Sequence, residues 1–242
     1  MFAMLLFAAT MSGEEGTASG KLTVGGKTTP LTHAYALART DTFDKTKERV
    51  LVILSDVTIP EDTLWDQFPG LKMAMAGKLH AVEVEIDADK SVTAAGVVHE
   101  AFVETDGFLG TPYPNLEAKK FGGPIIEGKL SSVKPEQPQD KKIEYVVSFR
   151  APLLHRPAPT ATGAPAAQTA PGKVVLAFLK AFGWGDKAGI RKLLTAEYGK
   201  PLDGPNAKAI LEAWKGRIDP ATAPIDTVYI TGNSGEVVMT PA

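Results

Sequence analysis

The spacing of apolar residues indicates two differently built parts of the chain. From residue 20 to residue 155, apolar side chains alternate with polar ones or form short continuous runs, which is typical of β-strands. Residues 21–31 predict a hairpin, because Gly25 and Gly26 accept the positive φ angles of a tight turn. Further strands are predicted at residues 49–54, 79–87, 97–104, 124–133 and 143–149. A series of short strands of this kind predicts a mainly β domain, either a sandwich or a small barrel.

One short helix is predicted within this β-rich part, at residues 60–68. Pro60 stands near its start and Pro69 follows its end, which are the positions where proline is tolerated around a helix.

From residue 173 onward the apolar period becomes helical. The first helix is predicted from five apolar positions, Val174, Val175, Phe178, Leu179 and Phe182. Gly183 and Gly185 end it, and Asp186 caps a second helix. A third helix is predicted over residues 206–215, followed by two strands within residues 226–240. Helices followed by strands predict a small α+β domain over residues 173–242.

A segment of restricted composition separates the two parts. Fifteen of the seventeen residues from 156 to 172 are Pro, Ala, Thr or Gly, and no large apolar side chain is present. Such a segment buries too little surface to offset the entropy of ordering it. The sequence therefore predicts an extended, semi-rigid linker over residues 156–172, between a β-rich domain at 20–155 and the α+β domain.

The first residues resemble the apolar part of a secretory signal. Residues 1–9 are apolar without interruption, which is about half the length that a membrane-spanning helix needs. The run ends in two small residues, Ala8 and Ala9, as near a signal cleavage site. We therefore expect export to the periplasm or the exterior, and we set residues 1–19 apart from the fold. The alternative is an ordinary buried strand at the N-terminus.

Composition excludes several classes of chemistry. The chain has 242 residues, with 26 Lys and Arg against 28 Asp and Glu, for a net charge of −2. This balance argues against a nucleic-acid binder that uses a basic face. Cysteine is absent, which excludes disulfides, thiolate metal sites and cysteine nucleophiles. Motif fragments at residues 26–28, 87–91 and 232–235 each lack a residue that their full motif requires, so turns are predicted there.

The remaining candidates for chemistry are histidines and carboxylates. The four histidines are His33, His80, His99 and His155, and no two have the helical spacing of a metal-binding pair. His80 is predicted to be a hydrogen-bonded core histidine, whereas His33, His99 and Asp56 form a candidate metal or acid–base site.

A row of carboxylates lies at alternate positions of one predicted strand. Glu83, Glu85 and Asp87 would share one strand face, which is predicted to be a solvated outer face. No complete ligand set for a metal is visible, so neither a metal nor another cofactor is expected.

Residues 174–194, VVLAFLKAFGWGDKAGIRKLL, resemble the opening helices of the nuclear-transport-factor-like, or ketosteroid-isomerase-like, superfamily. The resemblance covers about 70 of the 242 residues and implies helices packed beneath a curved sheet. It carries no catalytic residue, because the strands that hold the acid–base pair of the enzymatic members have no counterpart after the hairpin. The segments SGKLTVGGKTTPLTHAYAL and GKLHAVEVEID resemble exported bacterial β domains of unassigned function, which implies no mechanism.

These observations favour an exported, non-enzymatic protein that binds a small molecule or a protein partner. The predicted ligand-binding residues are the aromatic side chains of the C-terminal domain, Phe178, Phe182, Trp184 and Trp214. One hairpin offers little cover for them, so we expect an exposed apolar patch or a homodimer formed through this domain. Two alternatives stay open: a hydrolase or isomerase with its site around His33, Asp56 and His99, and a structural component of the cell envelope.

Overall fold

The computed structural model describes residues 16–40, 46–65, 70–105, 107–133, 141–215, 225–231 and 234–239. The chain forms two compact units, Met1–Arg156 and Pro157–Ala242. Among the described residues, no helix combines the length and the hydropathy needed to cross a bilayer. Most of the signal-like segment, at residues 1–15, lies outside the described residues.

A single large sheet dominates the first unit, and its described part contains nine strands. They are β1 (Thr17–Val24), β2 (Lys27–Thr40), β3 (Glu48–Ser55), β4 (Ala81–Ile86), β5 (Val92–Val98), β6 (Phe108–Gly110), β7 (Asn115–Lys120), β8 (Ile125–Ser131) and β9 (Ile143–His155). The short helix α1 (Leu71–Met75) and the 3₁₀ turns Glu61–Thr63 and Glu100–Thr105 connect strands of this sheet. The first unit is therefore mainly β, as the sequence predicts.

The strands follow the spatial order β6-β5-β4-β3-β2-β1-β9-β8-β7, with antiparallel neighbours throughout. β1 lies between β2 and β9 and pairs with both. Past the end of β1, β2 and β9 pair directly with each other in parallel, from Ala36 opposite Leu153 to Ala38 opposite His155. β1 therefore joins the two halves of the sheet, which are the strands from β6 to β2 and the strands from β9 to β7, at one end only.

The two faces of the sheet bury different cores. The inner face carries the larger cluster, to which both halves of the sheet contribute, as with Val52 of β3, Val84 of β4 and Val147 of β9. The outer face of β2, β3 and β4 carries a second cluster beneath α1, including Ile53 and Ala74. Strands buried on both faces explain the continuous apolar run at residues 50–54.

Several sequence predictions for this unit are confirmed and others are corrected. The hairpin is present, with φ of 58° at Gly25 and 85° at Gly26. The strand predicted at residues 97–104 instead ends at Val98 and gives way to a 3₁₀ turn. The helix predicted at residues 60–68 is a 3₁₀ turn in its described part, Glu61–Thr63.

The boundary of the signal-like segment at residue 19 is also corrected. Residues 17–19 belong to β1, where Thr17 pairs with Arg150 and Ser19 with Ser148 of β9. This part of the strand alternates small and polar residues, so no apolar pattern indicated a strand here.

The second unit combines short helices with a small sheet. Its helices are α2 (Ala164–Gln168), α3 (Ala170–Gly183), α4 (Lys187–Leu193), α5 (Ala196–Gly199) and α6 (Ala207–Lys215), with a 3₁₀ turn at Lys200–Asp203. Its strands are β10 (Ala161–Thr162), β11 (Ile225–Thr231) and β12 (Ser234–Met239), which form an antiparallel sheet in that order. The predicted helices and hairpin are present, with bounds that differ by a few residues.

The structure differs from the extended linker predicted over residues 156–172. This segment contains β10, α2 and the start of α3, and Ala166 is fully buried against Ile225 and Val228. Alanine favours helix, and Thr169 caps α3 by accepting a hydrogen bond from the Gly172 backbone N–H at 3.1 Å. Proline at the first turn of each helix is compatible with this geometry.

Candidate functional site

Three polar side chains meet where three adjacent strands end. Asp56 follows β3, His80 precedes β4 and His99 follows β5. Within the sheet, Leu54 pairs with Val82, and Val82 pairs with Val97. The three polar residues continue this row two residues further along each strand, so they extend the inner face beyond the apolar core.

A β-bulge brings His99 to the same side as His80. The pairing of β4 with β5 shifts register between Glu85 and Ile86, because Ile86 lies opposite Val92 whereas Glu85 lies opposite Ala94. The extra residue is Thr93. Without it, every later side chain of β5 would lie on the other face, His99 included.

His80 contacts a carboxylate through each of its ring nitrogens. Its Nδ1 is 2.6 Å from Oδ2 of Asp56, and its Nε2 is 2.6 Å from Oε2 of Glu100. The backbone N–H of His80 also donates to Oδ1 of Asp56 at 2.8 Å. Each ring nitrogen of His80 therefore faces a carboxylate oxygen at hydrogen-bond distance. Asp56 thereby fixes the orientation of the His80 ring.

His99 completes the cluster from the buried side. Its ring centroid is 4.4 Å from that of His80, and its Nδ1 is 3.3 Å from Oε2 of Glu100. Nδ1 of His99 also accepts a hydrogen bond from the backbone N–H of Ala101 at 2.9 Å. His99 is only 4% exposed, and its backbone N–H donates a hydrogen bond to the backbone carbonyl of Gly107 at 2.8 Å.

The electrostatics of the cluster favour a neutral His99 and an ionised Glu100. Burial lowers the pKa of His99, and the Glu100 carboxylate only partly opposes this effect. Burial by itself would raise the pKa of Glu100, but a backbone hydrogen bond and the imidazoles of His99 and His80 outweigh it, so the pKa of Glu100 is lowered. At the solvent side, Nζ of Lys27 is 3.6 Å from Oε1 of Glu100.

Three side chains with the chemistry of metal ligands therefore lie close together. One ligand atom each from His80, His99 and Glu100 lies within 4.8 Å of the other two. A zinc ion binds imidazole nitrogen and carboxylate oxygen at about 2.0 to 2.2 Å, which separates tetrahedral ligands by roughly 3.3 Å. The Glu100 carboxylate would need to move by about 1 Å from His80 to admit such an ion.

The site predicted from the sequence is assembled only in part. Asp56 and His99 both belong to the cluster. His80 connects them, although we predicted it to be a core histidine without a role in a site. The imidazole of His33 instead hydrogen-bonds to the hydroxyls of Thr32 and Thr58, at 2.9 and 3.2 Å. Glu100 was missed because it lies in a segment that we predicted to be strand.

The carboxylate row on β4 also differs from the prediction of a solvated face. Glu83 is 6% exposed and lies opposite Ile53 on the outer face. Burial raises its pKa to about 7, although the positive charge of Arg39 lowers it and Glu85 raises it further. Glu85 and Asp87 both pair with Arg49, at 3.4 and 3.5 Å.

The aromatic residues predicted to bind a ligand have different environments in the second unit. Phe182 is buried, Phe178 packs beside it with a ring separation of 5.9 Å, and Trp184 is 76% exposed beneath Lys180. The side chain of Trp214 lies outside the described residues. A cavity of about 390 Å³ in this unit is lined by Phe182 but by neither Phe178 nor Trp184.

Comparisons of the chain with protein-family models, with curated proteins and with solved structures give no match. The superfamily resemblance of residues 174–194 therefore stays a prediction.

Proposed function

We propose that the first unit binds one divalent transition-metal ion through His80, His99 and Glu100. The observation that carries the proposal is the meeting of two imidazoles and one carboxylate at the end of three strands, with ligand atoms within 4.8 Å of one another. Imidazole nitrogen with carboxylate oxygen is a ligand set that suits zinc and its first-row neighbours. The sequence alone led us to expect no metal.

Asp56 supports this proposal as a positioning residue. Histidines that bind metals through one ring nitrogen usually donate the other ring N–H to a carboxylate, which fixes the ring and raises its basicity. Asp56 accepts at 2.6 Å from Nδ1 of His80, on the side of the ring that faces away from Glu100. The ring is therefore held with Nε2 directed toward the proposed metal position.

We propose that the chain is an exported protein that binds a metal ion and catalyses no reaction of its own. The apolar residues 1–9 support export, as argued above. The sequence led us to expect ligand binding by the aromatic residues of the C-terminal domain and no metal, so this proposal differs from that expectation in both the site and the ligand.

A metal-dependent hydrolase is the second candidate. Three protein ligands leave a fourth position for water, as in catalytic zinc sites of the His₂Glu type. Hydrolysis of activated esters by the zinc-loaded protein, absent from the metal-free protein, would favour this candidate over simple metal binding.

The proposal is tested by calorimetric titration of zinc into the full-length chain after removal of metal by a chelator. We expect one ion per chain, and we expect cobalt to give the visible spectrum of a nitrogen- and oxygen-ligated ion. His80→Ala and His99→Ala each remove a ligand and should abolish this site. Asp56→Asn keeps the ligands but removes the charge behind His80, and affinity should fall about 10- to 100-fold.

His33→Ala is the matched control, because this imidazole contacts Thr32 and Thr58 instead of the cluster. Its zinc affinity should equal that of the unmodified protein. The metal proposal fails if the unmodified chain binds no zinc, or if His33→Ala weakens binding as much as His99→Ala does. Thermal unfolding of each metal-free variant shows whether the fold survives the substitution.

A further inference from the structure

A second concave site lies at the opposite end of the inner face. A cavity of about 460 Å³ is lined by aliphatic side chains from both halves of the sheet, including Val50, Ile86, Ile126 and Leu153. Ile86 is six residues along β4 from His80, which corresponds to about 20 Å of extended strand. This cavity is therefore separate from the proposed metal site.

The cavity has the character of a site for a small apolar molecule. Its volume falls within the range of about 300 to 1,000 Å³ that is usual for ligand pockets, and its lining is mostly aliphatic. The polar groups in its lining are few, namely Glu48, Arg49 and His155. Arg49 is already paired with Glu85 and Asp87, so its charge is largely compensated.

An adjoining cavity supplies positive charge. This second space, of about 410 Å³, shares Phe121, Gly123 and Pro124 with the first. Its lining includes three lysines, Lys90, Lys119 and Lys120, and no carboxylate. Lys120 also pairs with Glu127 at 3.4 Å, which leaves Lys90 and Lys119 to supply most of the positive charge. An apolar space beside a cationic one matches a ligand with a hydrocarbon tail and an anionic head.

Lys90 provides an independent observation. Its φ is 70°, and among the described residues it is the one non-glycine residue with a positive φ. The turn is held by the Lys90 N–H donating to the Asp87 carbonyl at 2.8 Å, and the Asp87 N–H donating to the Ser91 carbonyl at 2.9 Å. Glycine adopts this conformation without steric cost, whereas lysine does not. A strained lysine in the lining of a cavity suggests that its side chain has a use there.

We propose that the two cavities together bind an amphipathic anion, a linear alkyl carboxylate of medium length. The alkyl chain packs against Val50, Ile86 and Leu153, where it loses contact with water. The carboxylate lies in the adjoining space near Lys90 and Lys119. A neutral or cationic head group gains nothing from these lysines, so the head group decides specificity and the tail supplies most of the affinity.

The first test uses decanoate, titrated calorimetrically into the full-length chain below the concentration at which it forms micelles. We expect saturable binding of one molecule per chain. Acetate has the same head without a tail, and decyltrimethylammonium has the same tail with the opposite charge, and both should bind much more weakly. The proposal is overturned if decanoate does not bind, or if the cationic amphiphile binds equally well.

The second test separates the two cavities by substitution. Lys119→Gln and Lys90→Gly should each weaken decanoate binding by up to about fivefold, the usual range for one solvent-exposed charge contact. Lys21→Gln, on β1 and outside both cavities, should leave affinity unchanged. Ala38→Phe places a large side chain in the apolar cavity and should abolish binding.

Lys90→Gly also tests whether the backbone strain at this residue serves ligand binding or is incidental to it. Glycine relieves the backbone strain, so the variant should unfold at the same temperature or higher while binding decanoate less tightly. Unchanged decanoate affinity in both Lys90→Gly and Lys119→Gln would overturn the placement of the head group. Unchanged affinity in a folded Ala38→Phe variant would overturn the placement of the tail.

Discussion

Glu83 is a carboxyl group buried within the sheet, and Glu83→Gln tests the energetic cost of its charge. It is 6% exposed, and its Oε1 is buried without a hydrogen-bond partner among the described residues. Burial raises its pKa from 4.5 to about 7, with Arg39 opposing the shift and Glu85 adding to it. Glutamine has nearly the same shape but cannot ionise.

The sign and size of the effect follow from the two pKa values. The unfolded chain releases this proton near pH 4.5 and the folded chain near pH 7, so the folded state binds the proton more tightly. As pH rises from about 4.5 to about 7, Glu83 therefore lowers the free energy of unfolding, and above pH 7 the full cost remains. A shift of this size corresponds to about 3 kcal/mol. Below pH 4.5 the cost is absent.

The assay is urea unfolding at pH 5 and pH 8, followed by far-ultraviolet circular dichroism, for the unmodified chain and for Glu83→Gln. Part of the cost is already present at pH 5, so we expect the variant to gain about 2.5 kcal/mol relative to the unmodified chain between the two pH values. Glu85→Gln is the matched control on the same strand, and losing its pair with Arg49 should cost about 1 kcal/mol or less. An equal difference between Glu83→Gln and the unmodified chain at both pH values would refute the reasoning.

Two further predictions concern backbone packing and helix capping. A Cβ at Gly20 would overlap the carbonyl oxygen of Val146 on β9, so Gly20→Ala should destabilise the chain by about 1 to 3 kcal/mol. Gly110→Ala should be tolerated, because a Cβ there meets only ordinary contacts. Thermal unfolding compares the two variants, and equal stability would contradict the packing argument. Asp186 caps α4 by accepting from the Gly189 N–H at 2.9 Å, so Asp186→Ala should cost about 1 kcal/mol in urea unfolding, and an equal loss in Asp186→Asn would show that the cap is not the cause.

Much of the large sheet could be predicted from local pattern, because its strands are defined by residues close in sequence. The apolar run at residues 50–54 and the Gly25 and Gly26 turn both led to elements that the structure contains. The 3₁₀ turn Glu100–Thr105 was missed, because an apolar residue in such a turn gives the same short-range signal as one in a strand. The helix α2 was missed because an Ala- and Pro-rich segment also has the composition of a linker.

The candidate site could not be derived from the sequence for a different reason. Whether His80 and His99 share a face of the sheet depends on whether the number of residues between them is odd or even. The extra residue of the bulge, Thr93, changes that number by one. A regular hairpin would have placed the two imidazoles on opposite faces. Asp56 and His99 could be identified as candidates from their residue types, but their connection through His80 required the register of three strands.

The position of β1 in the middle of the sheet has a consequence for biosynthesis. Its neighbour β2 follows it within a few residues, but its other neighbour, β9, is made about 120 residues later, since Val24 pairs with Ile143. At a synthesis rate of 5 to 20 residues per second, one edge of β1 stays unpaired on the order of ten seconds. A β1–β2 hairpin that folds during that interval exposes an open strand edge, with which another chain can pair.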